Sequence, residues 1–112
     1  MTPVVSPLEY HALLAMATAP RYGYEIKERV EVDSGGTLSP PAGSLYRVIA
    51  RLIARGWVEE TEPVGERPAH PGLTRRYYRL TTSGRTALAE EARRLREVGR
   101  LAETRLWKGE GA

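Results

Sequence analysis

The chain has 112 residues, 41% hydrophobic and 28% charged, a composition that builds one domain with a core and differs from that of disordered segments. It has no cysteine, two distant histidines (His11 and His70) and a single aspartate, Asp33; this excludes disulfides, thiolate metal sites and cysteine nucleophiles and leaves little catalytic machinery. A net charge of +3 permits nucleic acid or another anionic surface as partner, no run of about 18 apolar residues suggests a membrane span, and Met1-Thr2-Pro3-Val4-Val5 lacks the features of a signal peptide, so a cytoplasmic protein is expected.

In chain order, Ser6-Pro7-Leu8-Glu9 carries a helix start: Ser6 as cap, Pro7 in the first turn and Glu9 three residues after the cap. Leu8, Ala12, Leu13, Ala15 and Met16 form the apolar face, and Ala19-Pro20 ends it. A second helix is predicted from about Tyr22 to Ser34, with Tyr22, Ile26 and Val30 four residues apart and Gly35-Gly36 as its stop. The third is expected to begin at Ser39-Pro40-Pro41 with Ser39 as cap; Leu45, Val48, Ile49, Leu52 and Ile53 form its stripe, and Gly56 terminates it. Its other side shows Ser44, Arg47, Arg51 and Arg55, flanked by Tyr46 and Ala50.

Trp57–Glu62 and Arg75–Leu80 read as two strands of a hairpin, joined by a loop holding Pro63, Gly65, Pro68, Pro71 and Gly72. Thr81 or Thr82 caps a final long helix with apolar positions Leu88, Ala92, Leu95, Val98, Ala102 and Leu106, and with Ala87 and Leu101 beside them. The expected fold is mainly α with a small β-hairpin: a winged helix-turn-helix domain over residues 6–81, followed by a C-terminal dimerisation helix over residues 82–108. Three short helices and a hairpin need their own faces for a core, so the final stripe needs a partner helix. Gly99 within it suggests close helix approach, with Leu8, Ala12 and Leu13 of the first helix assisting. Docking of the stripe within the same chain is the alternative.

Charge placement adds to this. From Gly35 to Arg55 the only charged residues are arginines, and a second basic group, Arg75, Arg76 and Arg79, is interleaved with Tyr77 and Tyr78 beyond the acidic Glu59, Glu60 and Glu62. Two basic surfaces separated by an acidic segment suggest a bipartite anion-binding face, although an ordinary solvated surface has the same composition. A helix fits the major groove, and a first turn made of Ala42, Gly43 and Ser44 allows backbone N–H groups close to a phosphate. Arg47 and Arg51 are the candidates for base or phosphate contact, with Arg75 and Arg76 of the wing, and Arg67 or His70 of its loop, at the backbone or minor groove.

The stretches Tyr22-Gly23-Tyr24-Glu25-Ile26, Leu38-Ser39-Pro40, Gly43-Ser44-Leu45-Tyr46-Arg47, Gly56-Trp57-Val58 and Arg76-Tyr77-Tyr78-Arg79-Leu80-Thr81, with Leu52, resemble the PadR family of bacterial transcriptional regulators over about Leu8 to Leu106. The resemblance implies a dimeric winged-helix repressor on an inverted repeat, in which Ser44 and Tyr46 hold DNA phosphates and the wing flanks them; Ser39 and Gly43 stand within the matching motifs. It also implies a short subgroup in which the final helix builds the dimer and some members take flat hydrophobic molecules between subunits. This sequence departs from the pattern in its long proline-bearing wing loop, in the extra Pro41-Ala42, and in a final helix with Leu95 at mid-length and Trp107 at its far end, which does not support an aromatic ligand sandwich.

Tyr22, Tyr24 and Trp57 are read as packing residues, and one of Tyr77 and Tyr78 as packed with the other available. His11 and His70 each lack a second ligand at useful spacing, so neither a metal nor a cofactor is expected. The rival readings are a winged-helix protein-interaction module without specific DNA binding and, with no nucleophile–base pair or phosphate loop in sight, an enzyme.

Overall fold

The expected helix start is present in full. In α1 (Pro7–Ala15), Ser6 Oγ accepts the Glu9 N–H at 3.1 Å and Glu9 Oε1 accepts the Ser6 N–H at 2.8 Å. The computed structural model describes residues 4–62 and 76–110. Its remaining elements are β1 (Arg21–Tyr22), α2 (Gly23–Asp33), α3 (Ala42–Ala54), β2 (Val58–Thr61), β3 (Tyr77–Leu80) and α4 (Thr82–Glu110). The wing-loop residues Pro63, Gly65, Arg67, Pro68, His70, Pro71 and Gly72, and Arg75, lie outside the described residues.

One core serves the first three helices and the sheet. Ala12, Leu13, Ala15 and Met16 of α1 and its end meet Ile26 and Val30 of α2, the Leu45, Val48, Ile49 and Leu52 stripe of α3, and Trp57, Val58, Tyr78 and Leu80 of the sheet. After α2 the chain reverses through Gly35 at φ 64° and Gly36 at φ 81°, backbone angles that favour glycine. At the end of α3, Gly56 at φ 79° performs the same turn and sends the chain into β2.

Two features differ from the sequence expectation. The wing is not a lone hairpin: β1 joins it as a third strand in the order β1-β3-β2, pairing Arg21 with Tyr78 and Tyr22 with Tyr77. Two residues are too short for any alternation to show, and what holds them is the distant β3 and an edge-on contact of the Tyr22 and Tyr77 rings at 5.6 Å. In addition, Ser39 does not cap α3. The N-cap is Pro41, itself extended, because the residue before a proline is disfavoured in the helical region, which moves the helix start past Ser39 and Pro40. Ser39 Oγ instead donates to Glu31 Oε1 at 3.0 Å.

Thr81 resolves the choice at the start of α4: its hydroxyl donates to the Gly56 carbonyl at 2.6 Å and accepts the Gly84 N–H at 3.0 Å. Gly84 lies so close to the Trp57 backbone that a Cβ there would fall 2.9 Å from the Trp57 carbonyl carbon, so α4 starts hard against the turn that joins α3 to β2. It then leaves the body. Glu91 is the last buried residue, and every described side chain from Ala92 onward is exposed. A radius of gyration of 16.7 Å and extents of 65 × 30 × 24 Å record this projection, against roughly 13 Å for a compact chain of this size.

Candidate nucleic-acid interface

The outer side of α3 carries the side chains that sequence pattern singles out. Ser44 is half-buried, while Gly43, Tyr46, Arg47 and Arg51 are exposed. No side chain caps the helix, so the N–H groups of its first turn are open to an outside acceptor. Arg47 Nη2 donates to Ser44 Oγ at 3.3 Å, linking two of these residues one turn apart. Neither Arg47 nor Arg51 pairs with a carboxylate among the described residues.

Arg55 leaves this row. Its Nη1 lies 3.0 Å from Glu9 Oε2, and its guanidinium stands 5.1 Å from the Trp57 ring centroid. The expected basic outer side of α3 is therefore two arginines long, with the third folded back onto α1.

Tyr46 reaches from α3 to the start of α2. Its ring rests on Gly23, where an added Cβ would lie 2.8 Å from Tyr46 Cζ and 2.9 Å from Cε1. Tyr78, buried on β3, is close enough to feel Tyr46: burial first, then Glu60 and Tyr46, push its phenol above the ordinary tyrosine value, keeping it a proton donor. Sequence pattern offered no sign that Gly23 is the seat of Tyr46, because the contact joins residues far apart in the chain. Tyr24, read as packing, is 57% exposed and bonded to Glu28, which raises its phenol's pKa.

On the described part of the wing, acidic residues of β2 pair with arginines at and beside β3. The β2–β3 register sets Glu59 opposite Arg79 and Glu60 opposite Tyr78, so Arg79 Nε meets Glu59 Oε1 at 2.8 Å and Arg76 Nε stands 3.8 Å from Glu60 Oε1. Arg79 is neutralised across the ladder; Arg76 stays exposed with a loosely held partner. Arg75 lies outside the described residues.

Residues 12–90 match the family model described as the transcriptional regulator PadR-like family. The chain belongs to that family. The PadR-like fold recurs in a PadR family transcription regulator from Clostridium difficile, 19% identical with a TM-score of 0.73 over 90% of this chain and 99% of that one. It recurs in a PadR-like transcriptional regulator from Bacillus cereus, 23% identical, TM-score 0.72, covering 88% and 90%. Bacillus subtilis PadR in complex with operator DNA is 21% identical, with a TM-score of 0.65 over 78% of this chain and 48% of that one. A 37.1 kDa protein of a Streptomyces fradiae transposon is 37% identical over 93 residues, 82% of this chain; the match spans 24% of that relative's length.

A second exposed surface runs along α4. The α4 residues Leu88 and Ala92 lie near the body, with Leu88 half-buried against the core, and Leu95, Val98, Ala102 and Leu106 follow on the projecting part at 41%, 49% and 69% exposure for the leucines and valine in order. A Cβ at Gly99 would meet no described atom within 4 Å. Where α4 departs, Arg94 Nε and Nη2 each donate to one oxygen of buried Glu91 at 2.7 Å, and these bonds hold the Glu91 carboxyl below the ordinary range. Among the described residues no group of His, Asp and Glu could hold a metal ion, and no helix is long and apolar enough to cross a membrane.

Proposed function

We propose that this PadR-like regulator is a homodimeric repressor that binds an inverted-repeat operator in double-stranded DNA, in the cytoplasm of a bacterium. The observation that carries the DNA-binding reading is the outer side of α3: Arg47 and Arg51, free of carboxylates among the described residues, on a helix whose first turn has no side-chain cap. Arg47 and Arg51 read bases or bind phosphate; Ser39, Gly43, Ser44 and Tyr46 hold the backbone near the helix start, and Arg75 and Arg76 flank it from the wing. Repression follows the family resemblance.

The exposed stripe of α4 supports the dimer. Leu88, Ala92, Leu95, Val98, Gly99, Ala102 and Leu106 recur at helical spacing, and the body's core is filled without most of them. A two-fold dimer matches an inverted repeat with half-sites about one helical turn apart, roughly 10–10.5 base pairs. A small hydrophobic effector that relieves binding has a seat available in a groove of about 280 Å³ between the start of α1 and α4, walled by Val5, Tyr10, His11 and Leu95 with Glu91 and Arg94.

The test is selection of duplexes from a random pool by the full chain, then fluorescence anisotropy against a scrambled duplex across a salt series. Tight, sequence-dependent binding that weakens steeply with salt is expected. Arg47→Ala or Arg51→Ala should cost about 1–3 kcal/mol at one base position where the arginine reads a base. A dimer that binds every duplex weakly and alike would replace this function with a protein-interaction module.

A further inference from the structure

We infer that Arg55 is a positioning residue for DNA recognition, clamping the carboxyl end of α3 to α1 through Glu9, and that it is not one of the DNA-contacting arginines. The inference rests on the DNA-binding reading above. By spacing, Arg55 continues the series Arg47, Arg51, and sequence pattern alone assigns all three to one basic side.

The geometry separates them. The Glu9 side chain is 5% exposed; Oε1 is committed to the Ser6 N–H, and no described donor makes an aligned hydrogen bond to Oε2. The Arg55 guanidinium, 3.0 Å away, is then the charge that compensates a buried carboxylate, and moving it to a DNA phosphate would strand that carboxylate. The Trp57 ring beneath the guanidinium fixes its direction, and Trp57 is itself held at both sides: its N–H donates to the Leu52 carbonyl and its carbonyl accepts the Thr81 N–H, each at 3.0 Å.

What this clamp controls is the aim of α3. The apolar stripe from Leu45 to Leu52 seats the helix on the core, and the clamp adds a directional contact at residue 55, beyond the last residue of that stripe. Arg51 and Arg47 lie four and eight residues from the clamp, about 6 and 12 Å along the axis. A pivot of roughly 10° at residue 55 would therefore carry Arg47 about 2 Å off its target, well beyond the roughly 0.5 Å that a specific constellation tolerates.

Removing the Glu9 charge gives opposite signs under the two roles of Arg55. If Arg55 binds DNA, Glu9→Gln frees it from a competing anion, tightens binding and steepens the log–log salt slope by up to about 0.9, the worth of one phosphate contact. If Arg55 positions α3, Glu9→Gln weakens binding and leaves the salt slope unchanged. A glutamine still offers an oxygen to the Ser6 N–H, so the α1 cap survives the substitution.

The experiment uses the full chain, the duplex selected by the wild type and its scrambled counterpart, with anisotropy across a salt series for Glu9→Gln, Arg55→Gln and the double variant. The expected result is a loss of roughly three- to thirtyfold for each single variant on the selected duplex, no loss on the scrambled one, equal salt slopes, and a double variant no worse than either single. Tighter binding by Glu9→Gln, or a salt slope lowered by about one in Arg55→Gln, overturns the inference. Should Arg55→Gln fail to fold by circular dichroism, the sign of the Glu9→Gln effect decides alone. A wild-type chain that selects no duplex removes the proposed function and this inference with it, whereas wild-type binding with unaltered variants removes the inference only.

Discussion

α3 and α4 carry the same kind of apolar stripe and end in opposite states. In α3, Leu45, Val48, Ile49 and Leu52 are 0–2% exposed; in α4, Leu95, Val98, Leu101 and Leu106 are 41–69% exposed. An amphipathic pattern states that a helix needs cover, not where the cover comes from. α3 lies between α1, α2 and the sheet, whereas α4 touches α1 and β3 only before it leaves the body. Its distal stripe is therefore left without cover among the described residues, which is what the proposed dimer would supply.

Matched substitutions in the two stripes should have very different consequences. Leu52→Ala, in a fully buried position, should cost about 2–5 kcal/mol in urea unfolding. Leu95→Ala, at dilutions where copies are apart, should stay within about 0.5 kcal/mol. Replacing Leu95 and Val98 together by Asp should leave a folded monomer and remove the dependence of thermal stability on protein concentration, read by sedimentation and calorimetry. If the Asp variant keeps the wild-type mass in solution, the stripe is not where copies of the chain meet.

The contrast also explains how much the sequence reveals. Local rules identify all four helices, since caps, stripes and stops each sit within a few residues: Ser6 with Glu9, Gly56 after Ile53, Thr81 before Gly84. What they miss is set by distant residues. β1 exists because β3 pairs with it, Arg79 is neutralised because the register brings Glu59 across, and Arg55 turns inward because Glu9 is buried beneath it. The misplaced cap at Ser39 is a different failure, a local one: two consecutive prolines push the helix start past Pro41. Arginine spacing on α3 likewise identifies the candidate face but not its length.

On the outer side of α3, Gly23→Ala tests an exposed residue, Tyr46, that depends on a buried one. The new Cβ would lie 2.8 Å from Tyr46 Cζ, but Tyr46 is 50% exposed, so its ring can swing outward with little cost to the fold. Stability should change by less than about 1 kcal/mol, because Ala also favours the helix. Binding to the selected duplex should weaken by about 1 kcal/mol, the usual worth of one hydrogen bond, and Tyr46→Phe should add nothing further in that background. Equal binding by wild type and Gly23→Ala would remove Tyr46 from the interface.

The smallest expected effect lies at Glu91, the point at which α4 changes from a packed helix into an exposed one. Arg94 holds its carboxyl below the ordinary range, so the ionised form stabilises the folded chain at pH values above the unfolded carboxylate pKa, and that contribution disappears as pH falls through the depressed folded value. The window is below about pH 4. Glu91→Gln should accordingly flatten the acid limb of a melting-temperature profile between pH 7 and 3 and converge with wild type at its acid end. Leu52→Ala, which removes no titrating group, should lower the same profile without changing its shape. Parallel curves for Glu91→Gln and wild type would mean that the Glu91–Arg94 bonds do not differ between the folded and unfolded chain, and that α4 is anchored at this point by its apolar contacts alone.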